Sequence, residues 1–146
     1  MIVFLLILML FMGSGYIIPA FGKFTGNEIL LQSDNTEQCG IRFIKKYSFS
    51  DGTEYICRSE NEILEYMSGV EMTRIADGMN YYPNEDIAQY IIVFDTSAGQ
   101  VTAAVSEDYI FLLNQKSGKY EETYYLPEGI DLEYFGNMIA PKNETE

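Results

Sequence analysis

The chain has 146 residues, 22 acidic and 9 basic, for a net charge of −13, and it contains no histidine. That length is one ordinary domain. The acid excess argues against nucleic acid and anionic lipid headgroups as partners. The missing histidine removes the usual neutral-pH general base and the commonest metal ligand.

The first element is a chargeless run, Met1 to Gly22, opened by twelve consecutive apolar residues and followed by Gly13-Ser14-Gly15. It reads as an export segment, either a cleaved signal peptide or a retained membrane anchor of about 30 Å. The domain is therefore expected to be extracytoplasmic, periplasmic or membrane-anchored. Residues 23–38 are polar apart from Ile29-Leu30-Leu31 and read as a linker with room for a short strand.

Ile41, Phe43, Tyr47 and Phe49 alternate with polar residues, which predicts a strand. Ser50-Asp51-Gly52 predicts a three-residue hairpin loop with Gly52 at positive φ. Thr53 to Arg58 is then the return strand, with Tyr47 facing Tyr55 and Lys45 facing Cys57. Ser59 and Glu62 form a capping box for a helix whose apolar face is Ile63, Leu64 and Met67. Gly78, Pro83 and Asn84 break the chain after it. Residues 87–95 predict a buried strand, Thr96 to Gly99 a turn, and Gln100 to Val105 its return. Ser106, with Glu107 and Asp108 behind it, predicts the cap of a second helix through about Asn114. Tyr120 to Leu126 predicts an edge strand, residues 129–138 a short helix, and residues 137–146 a frayed tail.

The chain also echoes itself. Gly52, Ser59, Glu60 and Ile63 recur in register as Gly99, Ser106, Glu107 and Ile110. The expected class is therefore α+β: two related strand-strand-helix units, residues 39–69 and 87–115, with mainly antiparallel pairing inside a domain of residues 39–136.

Little in the sequence carries chemistry. Without histidine, Ser-His-Asp and Cys-His sites are excluded, and no phosphate or calcium loop is present, so no enzyme activity is expected. Sulfur is the one unusual resource. Thiolates and thioethers select soft ions such as Cu(I), although methionines also fill cores. Cys39 and Cys57 are either a disulfide pair or free, metal-binding thiols. On a straight strand Cys39 lies about 20 Å from Lys45, whereas a disulfide needs Cα atoms within about 7 Å. A bend at Gly40 would close that gap, so both readings stand.

Cys39-Gly40-Ile41, Asp51-Gly52-Thr53-Glu54-Tyr55 and Glu62-Ile63-Leu64-Glu65-Tyr66-Met67 resemble the NosL family of exported copper-binding accessory proteins of nitrous oxide reductase. Tyr90 to Asp95 and Val101 to Val105 are similar to that family's second half. The resemblance implies a fold of two related β-β-α-β units and copper held through Cys39, with Met138 similar to a late family methionine, and the soft-sulfur reading adds Cys57 as a further candidate ligand. Ile41 stands where the family has a methionine. The alternative is an exported protein-binding module, such as an inhibitor or immunity protein, with a structural disulfide and an interface of Tyr81, Tyr82, Tyr120, Tyr124 and Tyr125, since tyrosine is enriched at interfaces.

Overall fold

The computed structural model describes residues 22–33, 35–48, 52–75, 83 and 87–142. The apolar segment 1–22 expected to act in export (all but Gly22), the loop residues Phe49 to Asp51, Tyr81, Tyr82 and residues 143–146 lie outside the described residues.

Among the described residues the architecture is one nine-stranded sheet, antiparallel at every pairing. Its strands are β1 (Lys23–Thr25), β2 (Gly40–Lys46), β3 (Glu54–Cys57), β4 (Glu71–Arg74), β5 (Tyr90–Thr96), β6 (Gly99–Val105), β7 (Tyr109–Asn114), β8 (Lys119–Tyr125) and β9 (Ile139–Pro141). The order across the sheet is β1-β4-β8-β7-β6-β5-β2-β3-β9. The helices are short: α1 (Glu60–Ser68), α2 (Leu132–Asn137), a π-helical turn over Asn27–Leu31 and a 3₁₀ turn over Thr36–Gln38.

This corrects the expected α+β class with two strand-strand-helix units. The first unit exists as β2, β3 and α1. In the second, the segment after Ser106 is not a helix but β7, the middle of a four-strand meander from β5 to β8. The reason lies in the pattern behind the shared serine. After Ser59, acids and Asn61 fill the outward positions, and only Ile63, Leu64 and Met67 are buried. After Asp108 comes Tyr109-Ile110-Phe111-Leu112-Leu113, an unbroken apolar run with no polar face for a helix to turn toward water. A strand buries such a run on both sides, Ile110 in the main core and Phe111 in a second cluster with Tyr47, Ala88 and Ala104. Ser106 still binds the backbone three residues on, but across a hairpin turn. Its Oγ accepts the Tyr109 N–H at 2.9 Å, and its own N–H donates to the Tyr109 carbonyl at 2.9 Å.

The first hairpin also pairs differently from expectation. Ile44 stands opposite Tyr55 and Lys45 opposite Glu54, and the Lys46 N–H donates to Thr53 O at 2.8 Å. That register puts Ile44, Tyr55 and Cys57 on the main core, while Tyr47 packs in the second cluster and its hydroxyl donates to Pro83 O at 3.1 Å. Gly52 is not among the glycines at positive φ. A β-carbon there would instead collide with the Lys46 carbonyl. The Tyr120 to Leu126 segment is a strand, yet it sits inside the sheet between β4 and β7 rather than at an edge. Ile139 to Pro141, within the expected tail, forms β9 against β3.

The segment read as a linker supplies part of the core. Strand order forces the chain to cross the same face twice. It goes from β1 to β2 through the π-helical turn, and from β3 to β4 through α1. Leu30 and Leu31 of that turn are fully buried with Ile63, Leu64 and Met67 of α1, Phe135 of α2 and the inward residues of the strands. Gly26 sits where the two crossings touch. Its N–H donates to Val70 O at 2.8 Å, and a β-carbon on it would overlap the Met67 carbonyl.

Four outcomes are expected in urea unfolding. Gly26→Ala, forced against backbone, should lose about 2–3 kcal/mol, whereas Gly69→Ala, helical in φ and with its nearest neighbour atom 3.8 Å away, should be neutral or gain up to about 1 kcal/mol. Ser106→Ala should cost about 1–3 kcal/mol, because the buried hydroxyl is bonded at both ends. Ser59→Ala should cost only a few tenths, since its hydroxyl makes no capping bond.

Candidate functional site

The sulfur residues lie at one end of the sheet but serve different neighbours. Cys39 closes the 3₁₀ turn, and its half-buried thiol is directed at the carbonyls of Leu31 (3.6 Å) and Asn35 (3.9 Å). Cys57 ends β3, opposite Ile139 of β9. Both cysteines are free. Burial, and then the Glu60 carboxylate, push the Cys57 thiol up to about 11. Glu60 is held there because its carboxylate accepts the Ile41 N–H. Met138 caps the end of α2 and is nearly closed off from solvent, its carbonyl accepting the Arg58 N–H at 2.8 Å. Copper binds the thiolate, not the thiol. Among the described residues no three Cys, Asp or Glu side chains gather as metal ligands do. As placed, Cys39 is turned to backbone carbonyls and Cys57 is held protonated.

The tyrosines named as a partner surface divide. Tyr124 is 3% exposed: its ring packs edge-on against Phe24, and its hydroxyl donates to Glu122 at 2.9 Å, with burial raising its pKa. Tyr120 is half-buried against the second cluster, and burial and then Tyr47 push it up to about 12. Tyr125 is 42% exposed and leans on Tyr109 at 5.7 Å. Tyr124 and Tyr120 are therefore packing residues, and of the three described only Tyr125 is open.

The surface that combines exposure, aromatic rings and charge lies on the helical layer. Tyr66 of α1 and Tyr134 of α2 pair at 5.3 Å between ring centroids, and Tyr134 is 48% exposed. The pair is locked from below. The Asp131 N–H donates to the Tyr66 hydroxyl at 2.9 Å, while the Asp131 carboxylate accepts the Tyr134 N–H at 2.9 Å and so caps α2. Glu62, one turn before Tyr66, and Glu65 beside it are exposed, as is Glu133. Neither helix contains a Lys or Arg. The acidic surface runs on into the Glu107-Asp108 turn, whose carbonyls accept the N–H groups of Ile130 (2.7 Å) and Leu126 (2.8 Å). Among the described residues the two ion pairs, Arg42 with Asp95 and Lys142 with Glu54, involve no acid of this layer.

Nothing in the sequence singled out Tyr66 and Tyr134 as a pair, because their pairing joins helices far apart in the chain. The available signal was Asp131-Leu132-Glu133-Tyr134, an N-cap followed by acids and a ring. Chemically the arrangement offers two rigid aromatic surfaces ringed by unneutralised carboxylates. It can hold a cationic group.

No family model, no curated protein and no solved structure matches this chain.

One outcome tests the account of Cys57. Its thiol should react with iodoacetamide at about pH 8 more slowly, by about tenfold or more, than the same cysteine in urea-unfolded chain. Glu60→Gln, which keeps the bond to Ile41 but removes the charge, should narrow the gap. The native state favours the protonated thiol, so its contribution to stability is intact below the ordinary value of 9.0 and is lost as pH rises through about 11. A Cys57 that labels as fast folded as unfolded would contradict this.

Proposed function

We propose that the chain is a binding module for a basic protein, of the inhibitor or immunity type, and that it binds through the α1–α2 face. The observation that carries the reading is the locked Tyr66–Tyr134 pair set in a helical layer that has acids and no cations. Tyrosine gives contact area at low entropic cost, and hot spots favour it. Single exposed ion pairs contribute about 0–1 kcal/mol each, so the carboxylates act mainly by steering a cationic partner and rejecting anionic ones. The chargeless first 22 residues support an extracytoplasmic setting for this encounter.

The test is a titration of the full chain, in mild detergent, with a lysine-rich decapeptide. Binding should weaken about tenfold or more between about 50 and about 300 mM salt. It should weaken comparably in Glu62→Lys/Glu65→Lys/Glu133→Lys, and about threefold to tenfold in Tyr134→Ala, with unfolding midpoints unchanged. No binding, or binding that ignores both salt and these substitutions, would refute the reading.

A further inference from the structure

A groove of about 320 Å³ opens where the edge strand β1 meets β4 and the turn after β8. Phe24 and Pro127 give it carbon surface, Glu28, Glu71 and Glu128 give it carboxylates, and Lys23 contributes its one cation. We infer that this groove receives a single lysine side chain of the basic partner, its methylene stem on Phe24 and Pro127 and its ammonium among the carboxylates.

Three observations lead there. The first is size. The volume is at the small end for ligand sites, which run from about 300 to about 1,000 Å³, so it suits one side chain rather than a drug-sized molecule. The second is the mixture of surfaces. A long aliphatic stem ending in a charge is the chemistry that such a lining matches, because lysine buries its stem on apolar surface while keeping its head among polar groups. Three carboxylates against one ammonium leave the groove net negative, and neither Glu71 nor Glu128 takes part in the ion pairs found. The third is rigidity. Phe24 is packed edge-on against Tyr124 at 6.0 Å. Pro127 and Glu128 occupy the centre of a turn closed by the Gly129 N–H on Leu126 O at 3.0 Å, with Gly129 at φ +68°. A preformed groove loses less entropy when it is filled.

Strand addition along β1 is a poorer fit. Glu28 folds back so that its carboxylate accepts the Thr25 N–H at 2.8 Å, which occupies a backbone donor at the sheet edge. Glu28 thus guards the edge and adds charge to the groove. The segment continues directly from Glu128 to Asp131 and Tyr134, which joins the groove to the tyrosine pair along the chain. The assignment rests on the reading of the chain as a binder of basic proteins.

The experiment is a chemical-shift titration of the full chain in mild detergent with two short, otherwise uncharged peptides, one with a central lysine and one with norleucine in its place. The lysine peptide should shift the amides of Phe24, Met72 and Glu128 saturably. The norleucine peptide should not, and Glu71→Gln/Glu128→Gln should weaken the lysine effect about tenfold while leaving the decapeptide's shifts at Tyr66 and Tyr134 in place. Shifts confined to α1 and α2, or equal shifts with norleucine, would overturn the groove while the proposed function stands. Absence of binding by both the lysine peptide and the decapeptide would overturn both.

Discussion

The close contact between Gly26 and the last turn of α1 is the constraint on which the fold turns. Two chain crossings share one face of the sheet, and they fit only because one of them presents no side chain where it meets the Met67 carbonyl. With that approach secured, Leu30 and Leu31 reach under α1 and meet Ile63, Leu64 and Met67. Each such burial contributes about 1.5–3 kcal/mol before entropy is counted. Were the crossings held apart by even a methyl group, those five side chains would lose contact on one side. Dispersion falls steeply with such gaps. The helical layer that bears Tyr66 and Tyr134 would then lose its base.

Much of the strand pattern was legible in the sequence. β3 falls within its predicted segment, β2, β5, β6 and β8 overlap theirs with ends shifted by a residue or more, and α1 buries its expected apolar face. The errors share a cause. A serine followed by acids was read as a helix start at both Ser59 and Ser106, yet its side chain bonds the backbone only at Ser106, and there across a hairpin. The serine bond three residues on is local and serves either structure. What decides is whether the following residues leave a polar face, as Glu62 and Glu65 do and Ile110 to Leu113 do not. The echo between the two halves is therefore an echo of turn and strand, with different continuations. Register failed for a related reason: matching Tyr47 to Tyr55 assumed one apolar face, whereas the sheet carries apolar clusters on both, Tyr55 in one and Tyr47 in the other.

The candidate surface was less legible than the fold. Cysteine and methionine drew attention as rare and chemically soft residues, but their partners turned out to be carbonyls and core side chains. Tyr124 and Tyr120 drew attention by type, and tertiary packing placed them inside. Conversely Tyr66 and Tyr134 looked like ordinary helical aromatics. Their exposure is set by the Tyr66–Asp131 bond between helices that the chain keeps apart until it folds. Residue type is local information, and exposure is not.

The order of strands across the sheet also has a temporal meaning. β2 is flanked by β5 and β3, β4 pairs with β1 and β8, and β3 completes its pairing only with β9. The first 75 residues therefore hold strands whose neighbours have yet to be made when a ribosome has finished them. Their hairpin and the β1–β4 ribbon are too small to persist alone. Such long-range pairing folds slowly. A nascent chain of this design stays pliant until Tyr125 has emerged, and sets into its final form only once β9 docks on β3.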